Sequence, residues 1–423
     1  MANVKITVPK GTKDILPQES RKWQYIEEKL RHLCDVFNFR ELRTPVFEHT
    51  ELFQRGVGDT TDVVTKEMYT FTDKGGRSVT LRPEGTAGIA RSFAENSMHA
   101  GILPQKLYYI ISCFRYEKPQ AGRLREFHQF GTEIMGSSSY HSDVEAIMLA
   151  DRIFKEFNIK NITLNLNNIG CKNCRTEYNK KLIAFLEDKK DSLCDTCKER
   201  MYKNPMRIFD CKSEICQSVI KDAPMIYDCV CDECKEHFKG VTDSLDALGI
   251  EYKIDKKIVR GLDYYTKTVF EFVSDNIGAQ GTVLGGGRYD GLISEIGGHD
   301  APGIGFAMGL ERLLLLLGDN FAQEYPAPTV FIIPIGEKAQ KKALEAVFSL
   351  RNDNINAELD LNARSVKAQM KYADKLKAKY TLVIGDYELE NNCFTVKNME
   401  TGVQNEGMLD EILYFLKEES KNG

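Results

Sequence analysis

Four short stretches of the 423-residue chain gather side chains able to hold anions and polar ligands. Leu81-Arg82-Pro83-Glu84-Gly85-Thr86 sets a carboxylate and a hydroxyl at an expected strand-to-helix turn. Phe114-Arg115-Tyr116-Glu117, followed by Arg123, Arg125, Phe127-His128-Gln129-Phe130-Gly131 and Glu133, reads as a strand–loop–strand rich in arginine and amide. Val259-Arg260-Gly261-Leu262-Asp263-Tyr264-Tyr265 puts an arginine ahead of a tight turn and two aromatics. Gly303-Ile304-Gly305-Phe306-Ala307-Met308-Gly309-Leu310-Glu311-Arg312 is a glycine-flanked strand running into a helix that carries an arginine. Guanidinium groups are planar, permanently charged and able to grip phosphate or carboxylate through two hydrogen bonds. Singly, each stretch has a plainer reading. Thr86 caps a helix, Arg123 and Arg125 sit on a solvated hairpin loop, Tyr264 and Tyr265 fill core and edge, and Arg312 pairs on a helix surface. Gly285-Gly286-Gly287 is then only a flexible turn, without the lysine of a phosphate-binding P-loop.

A second chemistry lies in the cysteines. Nine of the twelve fall between Cys171 and Cys234. Cys171-x-x-Cys174, Cys194-x-x-Cys197, Cys211-x4-Cys216 and Cys231-x-x-Cys234 form four close pairs, with Cys229 extra. Two pairs make a tetrahedral Cys₄ zinc site, so four supply ligands for two structural Zn²⁺ ions. The alternative is reduced thiols packed in a helical segment. The first residues lack the apolar core of a signal peptide, and the run Leu313 to Leu317 is too short to cross a bilayer. The chain is therefore expected in the cytoplasm, off the membrane, where cysteines stay reduced or bind metal.

The elements that must position these residues follow from periodicity. Trp23, Ile26, Leu30, Leu33 and Phe37 recur at helical steps from Glu19 to Phe37. Strand-like runs follow at Arg40 to Phe47, Glu67 to Phe71, Ser78 to Arg82, Leu107 to Phe114 and Glu126 to Met135. Their short links and alternation predict an antiparallel sheet rather than βαβ units, covered by helices at Thr86 to Asn96 and Ser142 to Phe157. A charged, helical, cysteine-rich insertion is expected at 169–256. It separates a first part of the α+β domain, 1–168, from a second, 257–322. Sheet-like sequence resumes at Lys256 to Val273 and Gln280 to Leu284, and Phe321 to Thr329 reads as a linker. From 327 to 423 a β-α-β-α alternation predicts a small α/β domain. Net charge is −5, from 57 basic and 62 acidic residues, which excludes a global basic field for nucleic acid but leaves room for a local one. Arg364 to Lys379 carries six basic residues against Asp374 alone, with Lys367, Lys371 and Lys375 on one helical face.

Taken in order, these stretches resemble the histidyl-tRNA synthetases over nearly the whole chain, Lys10 to about Lys417. Gly11-Thr12-Lys13-Asp14, the first helix and the strand ending at Pro45 resemble class II synthetase motif 1. Phe114 to Glu133 resembles motif 2 and Gly303 to Arg312 motif 3. Val259 to Tyr265 is similar to the stretch peculiar to the histidine enzymes, and the last domain to their anticodon-binding domain. The resemblance implies a catalytic core built on a six- or seven-stranded antiparallel sheet flanked by helices, in a homodimeric ligase that joins histidine to ATP as the adenylate, with Mg²⁺ on the phosphates, and passes it to histidine tRNA. It implies that Arg115 and Arg260 hold the α-phosphate and the amino-acid carboxylate, as the catalytic cations, and that Arg123 and Arg312 hold the outer phosphates. It places Glu84, Gly85, Thr86 and Gln129 around the α-ammonium, and Glu133, Tyr264 and Tyr265 around the imidazole. It implies tRNA contacts at Gln120, in a loop where Lys118 stands in place of the usual arginine, and at Lys367, Lys371 and Lys375. The attacking carboxylate is ionised at neutral pH, so positive charge and in-line positioning are needed rather than a base. His128 therefore has no proton to move and is expected to brace the motif 2 strand. Two rivals share parts of this pattern: a regulatory paralogue that binds histidine, and a module that senses uncharged tRNA. The former usually lacks the anticodon domain, and the latter erodes the arginine and glutamate positions that are intact here.

Overall fold

The computed structural model describes residues 5–58, 61–277, 281–318, 321 and 324–421. The chain divides into two compact units, Met1–Gln323 and Glu324–Gly423. Gln280 of the expected strand, and Ala322 and Gln323 of the expected linker, lie outside the described residues.

The first unit is built on an eight-stranded sheet in the order Arg40–Glu41, Gln105–Phe114, Glu126–Met135, Gly303–Gly309, Thr282–Arg288, Thr266–Ser274, Ile162–Asn168, Lys253–Ile254. The six inner strands pair antiparallel throughout. The two-residue edge strands pair parallel, which makes the sheet mixed and larger than expected. Side chains alternate across it. Phe130, Ile134, Ile304, Phe306 and Met308 enter a core with Trp23 and Leu30 of helix Pro17–Val36 and Ile147 of helix Tyr140–Glu156. The alternate residues Phe127, Gln129, Ala307 and Gly309 line a cavity on the opposite face. Glycine and alanine at 305, 307 and 309 thus leave room on the face where a ligand would need it.

Several expectations are corrected. Tyr69–Thr72 and Ser78–Leu81 form a separate three-stranded sheet with Phe47–His49, and Val63–Glu67 is a π-helical turn. The stretch 40–47 is broken into two short strands around Pro45. The extended strand after Lys256 begins only at Thr266, so Val259 to Tyr265 is a loop. Helix Thr86–Glu95 is capped from outside. Glu84 accepts from the backbone N–H groups of Thr86 and Ala87, both at 2.8 Å, and the Thr86 hydroxyl points elsewhere.

Among the described residues, no strand falls between Asn168 and Lys253, in keeping with a mainly helical insertion. A buried ion pair joins its last helix to the sheet. Arg288, with no solvent exposure, is paired with Asp143 and donates to the carbonyls of Ser137 and Ser139 at 2.9 and 3.0 Å. His237 of helix Asp232–Ala247 meets the same carboxylate at 3.1 Å. Arg288 also pairs with Asp290 at 3.1 Å, so Asp143→Ala would leave the buried guanidinium with one carboxylate in place of two, and a loss of about 1.5–3 kcal/mol is expected in urea unfolding. A loss under about 1 kcal/mol would show that Asp290 and the two carbonyls satisfy the guanidinium on their own.

The second unit has the order Ala357–Leu359, Val330–Pro334, Tyr380–Ile384, Phe394–Asn398, Gln404–Gly407. The first three strands are parallel and the last two antiparallel. Helices Glu337–Asn352 and Val366–Lys375 are the crossovers that parallel pairing demands. On the second helix Gln369 and Ala373 are buried, while Lys367, Lys371 and Lys375 are exposed, as the spacing predicted. No helix of the described residues is long and apolar enough to cross a membrane.

Candidate functional site

The cavity on the open face of the sheet measures about 330 Å³. Glu84, Thr86, Arg115, Arg123, Gln129, Arg260, Tyr264, Tyr265 and Arg312 all line it. Glu133 and Gly85, also singled out in the sequence, are buried behind this wall. Gln120 lies elsewhere, in a groove with Lys13, Trp23 and Leu315. The three lysines belong to the second unit.

One part of the cavity is cationic. Arg115 donates from Nε to the Pro83 carbonyl at 2.8 Å and lies 5.3 Å over the Phe127 ring. Arg123 is held by Glu117 at 2.8 Å. Arg312 donates to the Thr282 carbonyl. Burial, and next to it the charge of Arg123, pull the Arg312 pKa below its ordinary value. Arg260 is paired with Glu271, whose other oxygen accepts from the Thr282 hydroxyl at 2.9 Å. Its guanidinium lies 5.5 Å over the Tyr265 ring and against Gly285, where any Cβ would overlap it. That close approach, rather than turn flexibility, is the reason for glycine at 285.

The other part is a carboxylate–hydroxyl pocket. Glu133 is fully buried and accepts from the Thr86 hydroxyl at 2.7 Å, from Tyr109 at 3.3 Å and from Tyr289. A Cβ at Gly305 would strike its carboxylate. Burial pushes the Glu133 pKa up to about 8, against three hydroxyls that stabilise the ionised form. Glu84 is likewise raised by burial, opposed by its two backbone N–H donors. Tyr264 stacks beside Tyr265 at 4.6 Å and edge-on to Tyr289 at 5.7 Å. Gln129 is held from behind by the Cys113 thiol at 3.4 Å. His128 takes the bracing place expected for it. Its Nδ1 lies 2.9 Å from Glu311, and its ring packs on Trp23 at 4.7 Å.

Tyr109, Tyr289 and Glu271 were not singled out from the sequence, and Glu117 was quoted in its stretch without a role. Glu271 had a signal, as the one charge in the otherwise apolar strand Thr266–Ser274 besides Lys267. Chemically, the arrangement suits an anion with several charged oxygens beside a small ligand bearing both a donor and an acceptor.

Each of the eight paired cysteines joins a set of four. Cys171, Cys174, Cys231 and Cys234 bring their sulfurs within 4.8 Å of one another, as do Cys194, Cys197, Cys211 and Cys216. Outer pairs meet outer, and inner meet inner. Either set could hold a metal ion.

A sheet antiparallel but for its two short edge strands and flanked by helices, with arginines on strands and loops around a cavity and a separate α/β unit, is the fold of a class II aminoacyl-tRNA synthetase. The histidyl-tRNA synthetase family model matches residues 11–313, and an anticodon-binding domain model matches 329–419. The chain is 57% identical to a histidine–tRNA ligase of Acetivibrio thermocellus, over 97% of this chain and 99% of that one. It is 51% identical to that of Clostridioides difficile, over 97% and 98%. The crystal structure of the apo Staphylococcus aureus histidyl-tRNA synthetase superposes with a TM-score of 0.83 at 41% identity, covering 98% of this chain and all of that one. The chain belongs to the histidyl-tRNA synthetase family, whose members are ATP-dependent ligases.

Proposed function

We propose that this chain activates histidine with ATP, releasing pyrophosphate, and then transfers histidine from the adenylate to the 3′ end of its tRNA. The observation that carries this is a single cavity joining four arginines to a buried carboxylate–tyrosine pocket. Arg115 and Arg260 grip the α-phosphate and the substrate carboxylate as charge moves onto the phosphate oxygens. Arg123 and Arg312 take the outer phosphates. Glu84, Gln129 and the Gly85–Thr86 turn hold the α-ammonium. Glu133, Tyr264 and Tyr265 read the imidazole, which offers one donor and one acceptor. An analogue lacking either nitrogen leaves a buried group unpaired, which discriminates without an editing step. Bound with ATP, Mg²⁺ would supply charge neutralisation at the phosphates, and Glu117 and Glu271, the carboxylates on the cavity wall beside the arginines, would be the protein oxygens able to hold it. Histidine-dependent ATP–pyrophosphate exchange tests the reading. Exchange with histidine alone among the amino acids supports it, and a folded protein that binds histidine without exchange overturns it.

The remaining assignments complete this reading. Segment 169–256 is an insertion between catalytic parts 1–168 and 257–322, and 327–423 binds the anticodon. The motif 2 loop, with Gln120, meets the acceptor end. Val46, Phe47 and Phe71, exposed on and beside the small sheet, supply apolar surface for a homodimer through motif 1, to be read by sedimentation equilibrium. The compartment is the cytoplasm, and both cysteine sets hold structural zinc. Lys367, Lys371 and Lys375 meet tRNA phosphates. Replacing all three with alanine is expected to raise KM for tRNA and to reduce its salt dependence. The slope should fall by roughly 0.7–0.9 log units per log unit of salt for each phosphate left without its lysine. An unchanged slope would place the phosphate-binding residues elsewhere.

A further inference from the structure

The inner cysteine set stands close to the loop that carries Arg260. Cys194, Cys197, Cys211 and Cys216 form a donor shell of four sulfurs, and the Cys194 backbone N–H donates to the Cys216 sulfur at 3.3 Å. Four thiolates in such a shell, closed to other donors, are the ligand set of a structural zinc ion. Between Cys197 and Cys211 the chain carries Arg200, Asn204 and Arg207. Arg207 is buried and donates from Nη1 to the Gly261 carbonyl at 2.7 Å. Asn204 donates to Asp263 at 2.7 Å. Arg200 donates to Asp62 at 2.8 Å, beside Val63 of the cavity wall. The segment between the cysteine pairs therefore grips the cavity loop on one side and the turn after Arg260 on the other. Cys197, Met201, Met206, Ile208 and Cys216 also share one apolar core with Tyr264 and Tyr265.

We infer that Cys194, Cys197, Cys211 and Cys216 bind zinc, and that the loaded site fixes segment 198–210 so that Arg207 and Asn204 position the Arg260 turn. Arg207 and Asn204 touch no substrate; they are positioning residues acting through Gly261 and Asp263. The metal closes the two cysteine pairs onto each other, and so removes from the segment the freedom that would let Arg207 drift. A displacement of about 1 Å at the reacting groups is enough to cost on the order of 10²-fold in rate. The positioning half of this inference rests on the reaction proposed above.

The test uses the full chain, purified without chelator. Zinc is counted by mass spectrometry, and exchange kinetics are measured well below the unfolding temperature. Wild type is expected to carry two zinc ions, one for each set of four sulfurs. Cys197→Ser loses one of them, and Arg207→Ala keeps both. Both variants lower kcat of exchange, Arg207→Ala by about 10- to 100-fold, while KM for histidine moves far less. A merely structural Arg207 would lower the unfolding temperature and leave kcat in place, and that outcome overturns the positioning role. Zinc-free wild type with twelve titratable thiols overturns the metal. Wild type carrying two zinc ions but showing no exchange overturns the proposed reaction and leaves the metal site standing. Should Cys197→Ser fail to fold, Arg207→Ala still decides the positioning and the wild-type count the metal.

Discussion

Replacing Arg260 with alanine should lower kcat of histidine-dependent ATP–pyrophosphate exchange by about 10²- to 10³-fold, with a much smaller change in KM for ATP. The guanidinium is fixed on three sides before any substrate arrives. Glu271 pairs with it, the Tyr265 ring lies 5.5 Å away, and Gly285 leaves the space it occupies. Glu271 is itself held by the Thr282 hydroxyl, and Thr282 offers its carbonyl to Arg312. The two cations thus stand on a common support. Charge that develops on the phosphate oxygens meets a preorganised partner and needs no solvent rearrangement. Arg260→Lys keeps the charge but loses the planar fork, so it should recover only part of the rate. An alanine variant with the wild-type kcat would remove Arg260 from the chemistry and return it to a structural pairing with Glu271.

The arginines and glutamates were legible because each motif is local: strand, turn and side chain lie within about ten residues of sequence. Their mutual arrangement was not. Gly303–Gly309 lies between Glu126–Met135 and Thr282–Arg288, and no local pattern encodes a pairing between segments some 170 residues apart. The loop before Thr266 looked like a strand because Ile258, Leu262 and Tyr264 alternate, yet these side chains are apolar because the insertion packs over them. The cysteine spacing displayed four pairs but not their partners, since joining outer to outer depends on how Cys171–Cys174 and Cys231–Cys234 are brought together where the insertion leaves and rejoins the sheet. Tyr109 and Tyr289 were invisible for a related reason. A tyrosine in an apolar strand, like Tyr109, or just past a strand's end, like Tyr289, reads as core until the buried carboxylate it serves, 24 or 156 residues away, is known.

That carboxylate gives the second large effect. Glu133 has no solvent exposure, and burial raises its pKa from the ordinary 4.5 to about 8. A raised carboxyl pKa favours the fold only while the group is protonated in it. The contribution is complete below about 4.5 and is lost as pH climbs through about 8. Glu133→Gln should therefore flatten that part of the stability profile, most visibly as a higher unfolding temperature than wild type above pH 8. Binding runs the other way. To accept the imidazole N–H, Glu133 must be ionised, with the hydroxyls of Thr86, Tyr109 and Tyr289 holding the charge. Below pH 8 histidine must displace a proton, so kcat/KM for histidine should rise with pH and level off near 8 in wild type. The glutamine variant cannot make the charged hydrogen bond, and a hydrogen bond to a charged group contributes about 1.5–3 kcal/mol. Its KM for histidine should accordingly rise about 10- to 100-fold, without the inflection near pH 8. If the variant keeps both the wild-type KM and the inflection, imidazole recognition belongs to Tyr264 and Tyr265 and not to Glu133.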